Sequence, residues 1–237
     1  MQRRAHEELD KVIGRLTWPS AEDEKQLPYI RAIIKEVQRF RPAFLVPAPH
    51  TSTEDFVYNG YYIPKGTSLV MNMHALNHNE ERYHNAWVLT FFFYAEYPSS
   101  ITCSAVFDPT RYLGDALSCM ESAAQSDFMM RDHWTFGAGY VQCVIPNGFN
   151  KVAHNTACSR RICPGIYIAE REIWLAVSRL LWCFEMRPLP GEPICLDDWE
   201  GKNGRTPIPF RVHFEPRHEN VASILSDSKG AMYEGPY

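Results

Sequence analysis

A cysteine at the start of a helix, framed by glycines and arginines, constrains this chain more than any other feature. Phe136-Gly137-Ala138-Gly139 closes one stretch and Arg160-Arg161-Ile162-Cys163-Pro164-Gly165 opens another, with residues 140–159 between them. Joined across that gap, the two pieces read F-G-A-G-R-R-I-C-P-G. Pro164 suits the first turn of a helix, where its missing N–H would be unpaired anyway. A helix starting there points its positive dipole end and free N–H groups at the Cys163 sulfur, which favours the thiolate. Gly139 and Gly165 lack a Cβ, so backbone at those points can approach another group closely or turn with positive φ. A cysteine standing alone usually packs as a small buried hydrophobe. The joined context sets Cys163 apart from that.

Helical spacing accounts for much of the rest. Leu9, Val12, Ile13 and Leu16 mark a first helix in residues 1–16, and Ser20 in S-A-E-D caps a short second one ending near Leu27-Pro28. Ile30, Ile33, Ile34 and Val37 follow i, i+3, i+4, i+7, and Arg41-Pro42 ends that helix. Glu36 and Arg39 fall together on its other side, which alone would be a solvated ion pair. Asn59-Gly60 is a hairpin turn between short strands at 56–58 and 61–63. Residues 68–73 read as an apolar strand, and His74, His78 and His84 read as surface residues. After Cys163, Ile166, Ala169, Ile173, Val177, Leu180 and Leu181 make a long helix stopped by Met186-Arg187-Pro188. Residues 209–214 alternate like a strand, and 218–237 read as a loosely held tail.

The chain has 237 residues with 45% hydrophobic and 22% charged residues and a net charge of −4. This is globular composition, with no electrostatic case for nucleic acid or an anionic surface. No run approaches the ~20 apolar residues of a membrane span, residues 87–95 being the nearest candidate. Seven cysteines, an odd number without regular spacing, fit reduced thiols facing the cytosol.

The joined string resembles the haem-binding loop of the cytochrome P-450 family, F-x-x-G-x-R-x-C-x-G, and fills each fixed position. E-V-Q-R at Glu36–Arg39 resembles that family's E-x-x-R signature. F-D-P-T-R-Y, carrying Arg111, resembles its F-x-P-x-R-F with tyrosine last. The run T-E-D-F-V-Y-N-G-Y-Y-I-P-K-G-T resembles a sheet segment of the same family. The likeness covers about residues 2–217, apart from interruptions at 89–105 and 140–159.

The resemblance implies a mainly α fold with small β-sheets, an α+β arrangement forming the C-terminal portion of the P-450 fold. It would be truncated on the N-terminal side, with 218–237 as the tail. It implies haem b, iron protoporphyrin IX, with Cys163 as the axial iron ligand and Arg161 and His50 on the propionates. Phe136, Gly139 and Gly165 would lie against the porphyrin, Phe44, Leu45 and Val46 against substrate. Glu36, Arg39 and Arg111 would form a buried ion cluster. The implied reaction is monooxygenation of a small organic substrate, with electrons from NADPH through a cytochrome reductase. The implied location is the cytosolic face of the endoplasmic reticulum, through an N-terminal anchor absent from this chain. Without that anchor this chain would be soluble or cytoplasmic. The distal helix that activates oxygen would also be missing, leaving the chain inactive alone.

A different reading uses Cys143, His154, Cys158 and Cys163 as a small zinc-binding or structural module, although their spacing misses the C-x2-C knuckle. The edges of 140–159 can be encoded as splice boundaries, Gly139-Tyr140-Val141 as GGG-TAT-GTT and Ser159 as AGC. A retained intron would explain why one loop is split. The split would also let its two halves separate.

Overall fold

The computed structural model of the chain describes residues 1–84, 87–94, 97–125, 127, 130–137, 162–192, 194, 199–201 and 206–231. For 87–94, 97–105, 199 and 227–231 the backbone alone is described.

The first helix, α1 (Gln2–Val12), buries Ala5 and Leu9. A 3-10 helix (Ala21–Gln26) follows, with Ser20 and Asp23 closing the reciprocal cap that S-A-E-D promised. Pro28 opens α2 (Pro28–Phe40) at a position where its lack of an N–H costs nothing. Leu27 offers that helix no side-chain cap. The Glu8 carboxylate of α1 supplies one instead, accepting from the Tyr29 and Ile30 N–H groups at 2.9 and 3.1 Å. Two orphan donors are thereby satisfied and the two helices tied together.

Strand β1 (His50–Thr51) pairs with β4 (Ser68–Leu69), and β2 (Phe56–Tyr58) pairs with β3 (Tyr61–Ile63). Asn59 and Gly60, both at positive φ (49° and 83°), make the tight turn between β2 and β3. The apolar strand expected over 68–73 stops after Leu69. The Asn72 side chain accepts from the Ala75 N–H and starts α3 (Met73–Asn77), a local bond that outcompetes strand pairing.

Strands β5 (Trp87–Tyr94) and β6 (Tyr97–Ala105) form a hairpin whose base pairs Trp87 with Ala105. A second 3-10 helix (Pro109–Tyr112) and α4 (Cys119–Ala123) follow. The longest helix is α5 (Ile166–Cys183). It ends three residues before Met186-Arg187-Pro188, the stop expected from sequence. Phe184 turns extended, and β7 (Phe184–Pro188) pairs along its whole length with β10 (Val212–Pro216). Strands β8 (Trp199–Glu200) and β9 (Thr206–Pro207) pair between them. Among the described residues all sheets are two-stranded and antiparallel, which with the helices is the α+β class expected.

Part of the stretch expected as a tail, 220–231, is helical. Asn220–Ala231 form α6, and Val221 is buried in the main core with Leu9, Ile30, Ile33, Trp174 and Trp182. The physical cause lies just before it. Arg217 caps the end of α5 at the Leu181 and Trp182 carbonyls and reaches Asp10 of α1 at 2.8 Å, steering the chain back onto the core. α1, α2, α5 and α6 thus share one apolar centre, and α2 carries its second face toward the site.

Candidate functional site

Helix α2 is buried nearly all round. Its apolar face meets the core, and its other face holds Lys35, Glu36, Gln38 and Arg39, none more than 5% exposed. Glu36 and Arg39 form a two-point ion pair, Nη2 to Oε1 at 2.6 Å and Nε to Oε2 at 2.7 Å. Arg111 approaches the same carboxylate at 3.5 Å, and the Asp108 N–H donates to it at 2.8 Å. Arg39 also donates to the carbonyls of Asn77 and Val106, both at 2.8 Å. Arg111 donates to the His84 carbonyl. The structure therefore brings Glu36, Arg39 and Arg111 together in the interior, each charge offset by bonded partners as burial demands.

A second charged group lies beside the first. The Lys35 ammonium sits 2.7 Å from Asp115 and 3.1 Å from Asp132. Burial alone would lower the Lys35 pKa, but Asp132 beside it and the bond to Asp115 outweigh that and raise it. The Tyr83 and Tyr112 hydroxyls both donate to the Asp132 carbonyl, at 2.7 and 2.9 Å. Sequence reasoning missed this group. Its signal was two further charges in the same helix, Arg31 and Lys35, whose partner Asp115 lies 84 and 80 positions away.

The segment after Asp132 runs to the first half of the split loop. Trp134 accepts from the Gly137 N–H at 2.9 Å, and Gly137 takes φ 101°. Of the loop glycines described, Gly137 takes left-handed backbone and Gly165 does not, its φ being −83°. The Phe136 carbonyl accepts from the Cys163 N–H at 2.9 Å. The residues on either side of the interruption are therefore held together, contrary to the expectation that 140–159 would let them separate. Helix α5 begins at Ile166 with Gly165 as its N-cap, so Pro164 precedes the first turn rather than lying in it. The Cys163 thiol is free and exposed. A Cβ on Gly165 would have one neighbour within 4 Å, the Cys163 sulfur at 3.7 Å, so the glycine keeps one flank of the sulfur clear.

Gly139 and Arg161 lie outside the described residues, as do Cys143, His154 and Cys158. His50 is exposed in β1 opposite Leu69. Phe44 and Val46 are 56% and 45% exposed, and Leu45 is half-buried. His84 is exposed as expected and His74 half-buried, but His78 is buried, its Nδ1 2.9 Å from the His74 carbonyl. His78 is the C-cap of α3 and is 3% exposed, packed against the interior.

Cys119, Asp132 and His133 bring one potential metal-ligand atom each within 4.8 Å of one another. Burial pushes the Cys119 thiol well above its usual pKa, which keeps the proton on sulfur. The Lys35 ammonium already supplies the cation beside Asp132, so this group reads as packing rather than a metal centre.

The family model "Cytochrome P450" matches residues 1–88, ending where the β5–β6 hairpin begins. Cytochrome P450 monooxygenase verL of Clonostachys rogersoniana is 37% identical over 228 residues, covering 94% of this chain and 35% of its own length. Cytochrome P450 monooxygenase polD of Polytolypa hystricis is 34% identical over 226 residues, covering 95% and 36%. The chain is thus similar to cytochrome P450 monooxygenases along nearly its whole length. Its fold is that of a cytochrome P450: a zebra fish cytochrome P450 solved with abiraterone superposes with a TM-score of 0.63 at 24% identity, over 92% of this chain and 40% of that one. The chain spans about a third of the length of the curated relatives it matches. Among its described residues no helix is long and apolar enough to cross a membrane.

Proposed function

We propose that the protein acts as a haem-dependent monooxygenase, inserting one oxygen atom of O2 into a small organic substrate. The observation that carries the reading is Cys163. It is an exposed free thiol two residues before the N-cap of α5, with its N–H anchored on the Phe136 carbonyl. Haem b fits this set: a soft sulfur donor, a flank kept clear by Gly165, and the half-buried Phe136 beside it. When bound, a thiolate-ligated haem supplies the electron-rich iron that favours O–O cleavage.

The chain's own residues orient and hold. Cys163 would ligate the iron, with the positive end of α5 behind it stabilising the sulfur's negative charge. Arg161 would pair with a propionate as a charge-assisted donor, with His50 as a second contact. Gly139 and Gly165 would let backbone meet the porphyrin, while exposed Phe44 and Val46, with Leu45, offer an apolar wall to substrate. The Glu36–Arg39–Arg111 cluster would brace the proximal side. Electrons would come from NADPH through a reductase partner, at the cytosolic face of the endoplasmic reticulum.

The test is hemin reconstitution of the chain followed by a ferrous–carbon monoxide spectrum. The wild type and Cys183→Ser should show the long-wavelength Soret band of thiolate ligation, since Cys183 is buried in the core. Cys163→Ser should lose it. Retention of that band in Cys163→Ser would refute the assignment.

A further inference from the structure

Asn77, the last residue of α3, has no exposed surface, and it touches both halves of the proximal architecture. Its carbonyl accepts from Arg39 Nη1 at 2.8 Å. Its side-chain Oδ1 accepts from the Trp134 N–H at 2.9 Å, and Nδ2 donates toward Thr135 Oγ1 at 3.4 Å. The Thr135 hydroxyl spends its own proton on the Gln38 carbonyl at 2.7 Å. That oxygen therefore faces Asn77 with lone pairs, so the amide has to present its NH2 to Thr135 and its oxygen to Trp134. Of the side chains of this size, only a carboxamide satisfies both.

Trp134 opens the turn that Gly137 closes, and Phe136, inside that turn, holds the Cys163 N–H. A continuous bonded path thus runs from Glu36 and Arg39 through Asn77 to the backbone that carries Cys163. We propose that Asn77 is the positioning residue that couples the buried Glu36–Arg39 pair to the cysteine loop and sets the placement of the Cys163 sulfur. Its bearing on ligation rests on the haem–thiolate reading above; its bearing on loop geometry does not.

Two variants separate these roles. Asn77→Asp keeps Oδ1 but turns the NH2 into a second acceptor facing the Thr135 lone pairs. Thr135→Val removes the partner oxygen while Thr135→Ser restores it. Amide hydrogen exchange on the full chain is expected to quicken about tenfold at Trp134, Gly137 and Cys163 in Asn77→Asp and Thr135→Val. The α5 amides of Leu181 and Trp182 should stay unchanged, and Thr135→Ser should behave as wild type. Unchanged exchange at Cys163, or a uniform rise that includes α5, would overturn the proposal. Should Asn77→Asp fail to fold, the Thr135 pair decides alone. In the hemin-loaded protein, Asn77→Asp should bind as much haem but shift the ferrous carbonyl away from the thiolate band; equal haem with an undiminished thiolate band would count against it. If the wild type takes up no haem, the monooxygenase reading fails, and the exchange result still decides the role of Asn77.

Discussion

Glu36 and Arg39 have no exposed side-chain surface, and that single fact changes what their pairing is worth. A solvated pair three residues apart contributes a few tenths of a kcal/mol. Removing one partner of a buried pair leaves the other desolvated, so Glu36→Ala is expected to cost about 3–5 kcal/mol. Glu36→Gln, which keeps the shape and some of the bonds to Arg39 and the Asp108 N–H, should cost less. Denaturant titration of both variants checks this, and a cost below about 1 kcal/mol for the alanine variant would contradict it. His78 brings a pH dependence. Burial depresses its folded-state pKa from 6.5 to about 4, so the unfolded chain binds the proton first as pH falls. Stability from this group is full above pH 6.5 and lost progressively toward pH 4, about 2 kcal/mol of it by pH 5. His78→Gln should flatten the stability profile between pH 7 and 5, and an unchanged slope there would show that His78 is accessible. The i,i+3 spacing made the pairing of Glu36 and Arg39 legible in the sequence, while its burial was legible only through the resemblance to E-x-x-R. Asn77 was not, because its bond to Trp134 joins positions 57 apart and an asparagine near a helix end looks like an ordinary cap.

Element boundaries followed local chemistry where local chemistry decided. The Ser20 cap, Pro28 and the Asn59-Gly60 turn all appear where residue type demands them. The misses came where a distant partner decided instead. β7 exists because β10 pairs with it, and α6 docks because Arg217 bridges α5 and α1, neither of which a local pattern encodes. α6 gives a testable consequence. Val221 is 2% exposed, and trimming its two methyl groups as Val221→Ala should cost about 1–2 kcal/mol. Ending the chain after Arg217 should cost more, since half-buried Ile224 and Leu225 leave the core as well. Equal denaturation midpoints for the full and shortened chains would mean that α6 contributes nothing.

At the scale of the whole molecule, both interruptions of the family pattern leave and rejoin the fold between residues held close together. The first is a hairpin closed by the Trp87–Ala105 pairing, so Arg39 still reaches the Val106 carbonyl and Arg111 that of His84. The second, 140–159, falls between Phe136 and Cys163, which are hydrogen-bonded to each other. Loop-closure entropy grows only slowly with length, which is why such excursions can be carried without undoing the site. They are not free of consequence for a ligand that needs the loop closed. Deleting 140–159 shortens the connection 137–162 and should favour closure by about 1 kcal/mol. With haem bound at Cys163 as proposed, that corresponds to about fivefold tighter hemin binding. It should also slow amide exchange at Cys163, whose N–H reports closure directly. Hemin titration of the deleted and full chains, with exchange measured on both, checks the expectation. Weaker hemin binding by the deleted chain would show that residues 140–159 form part of the haem's own binding surface rather than an excursion from it.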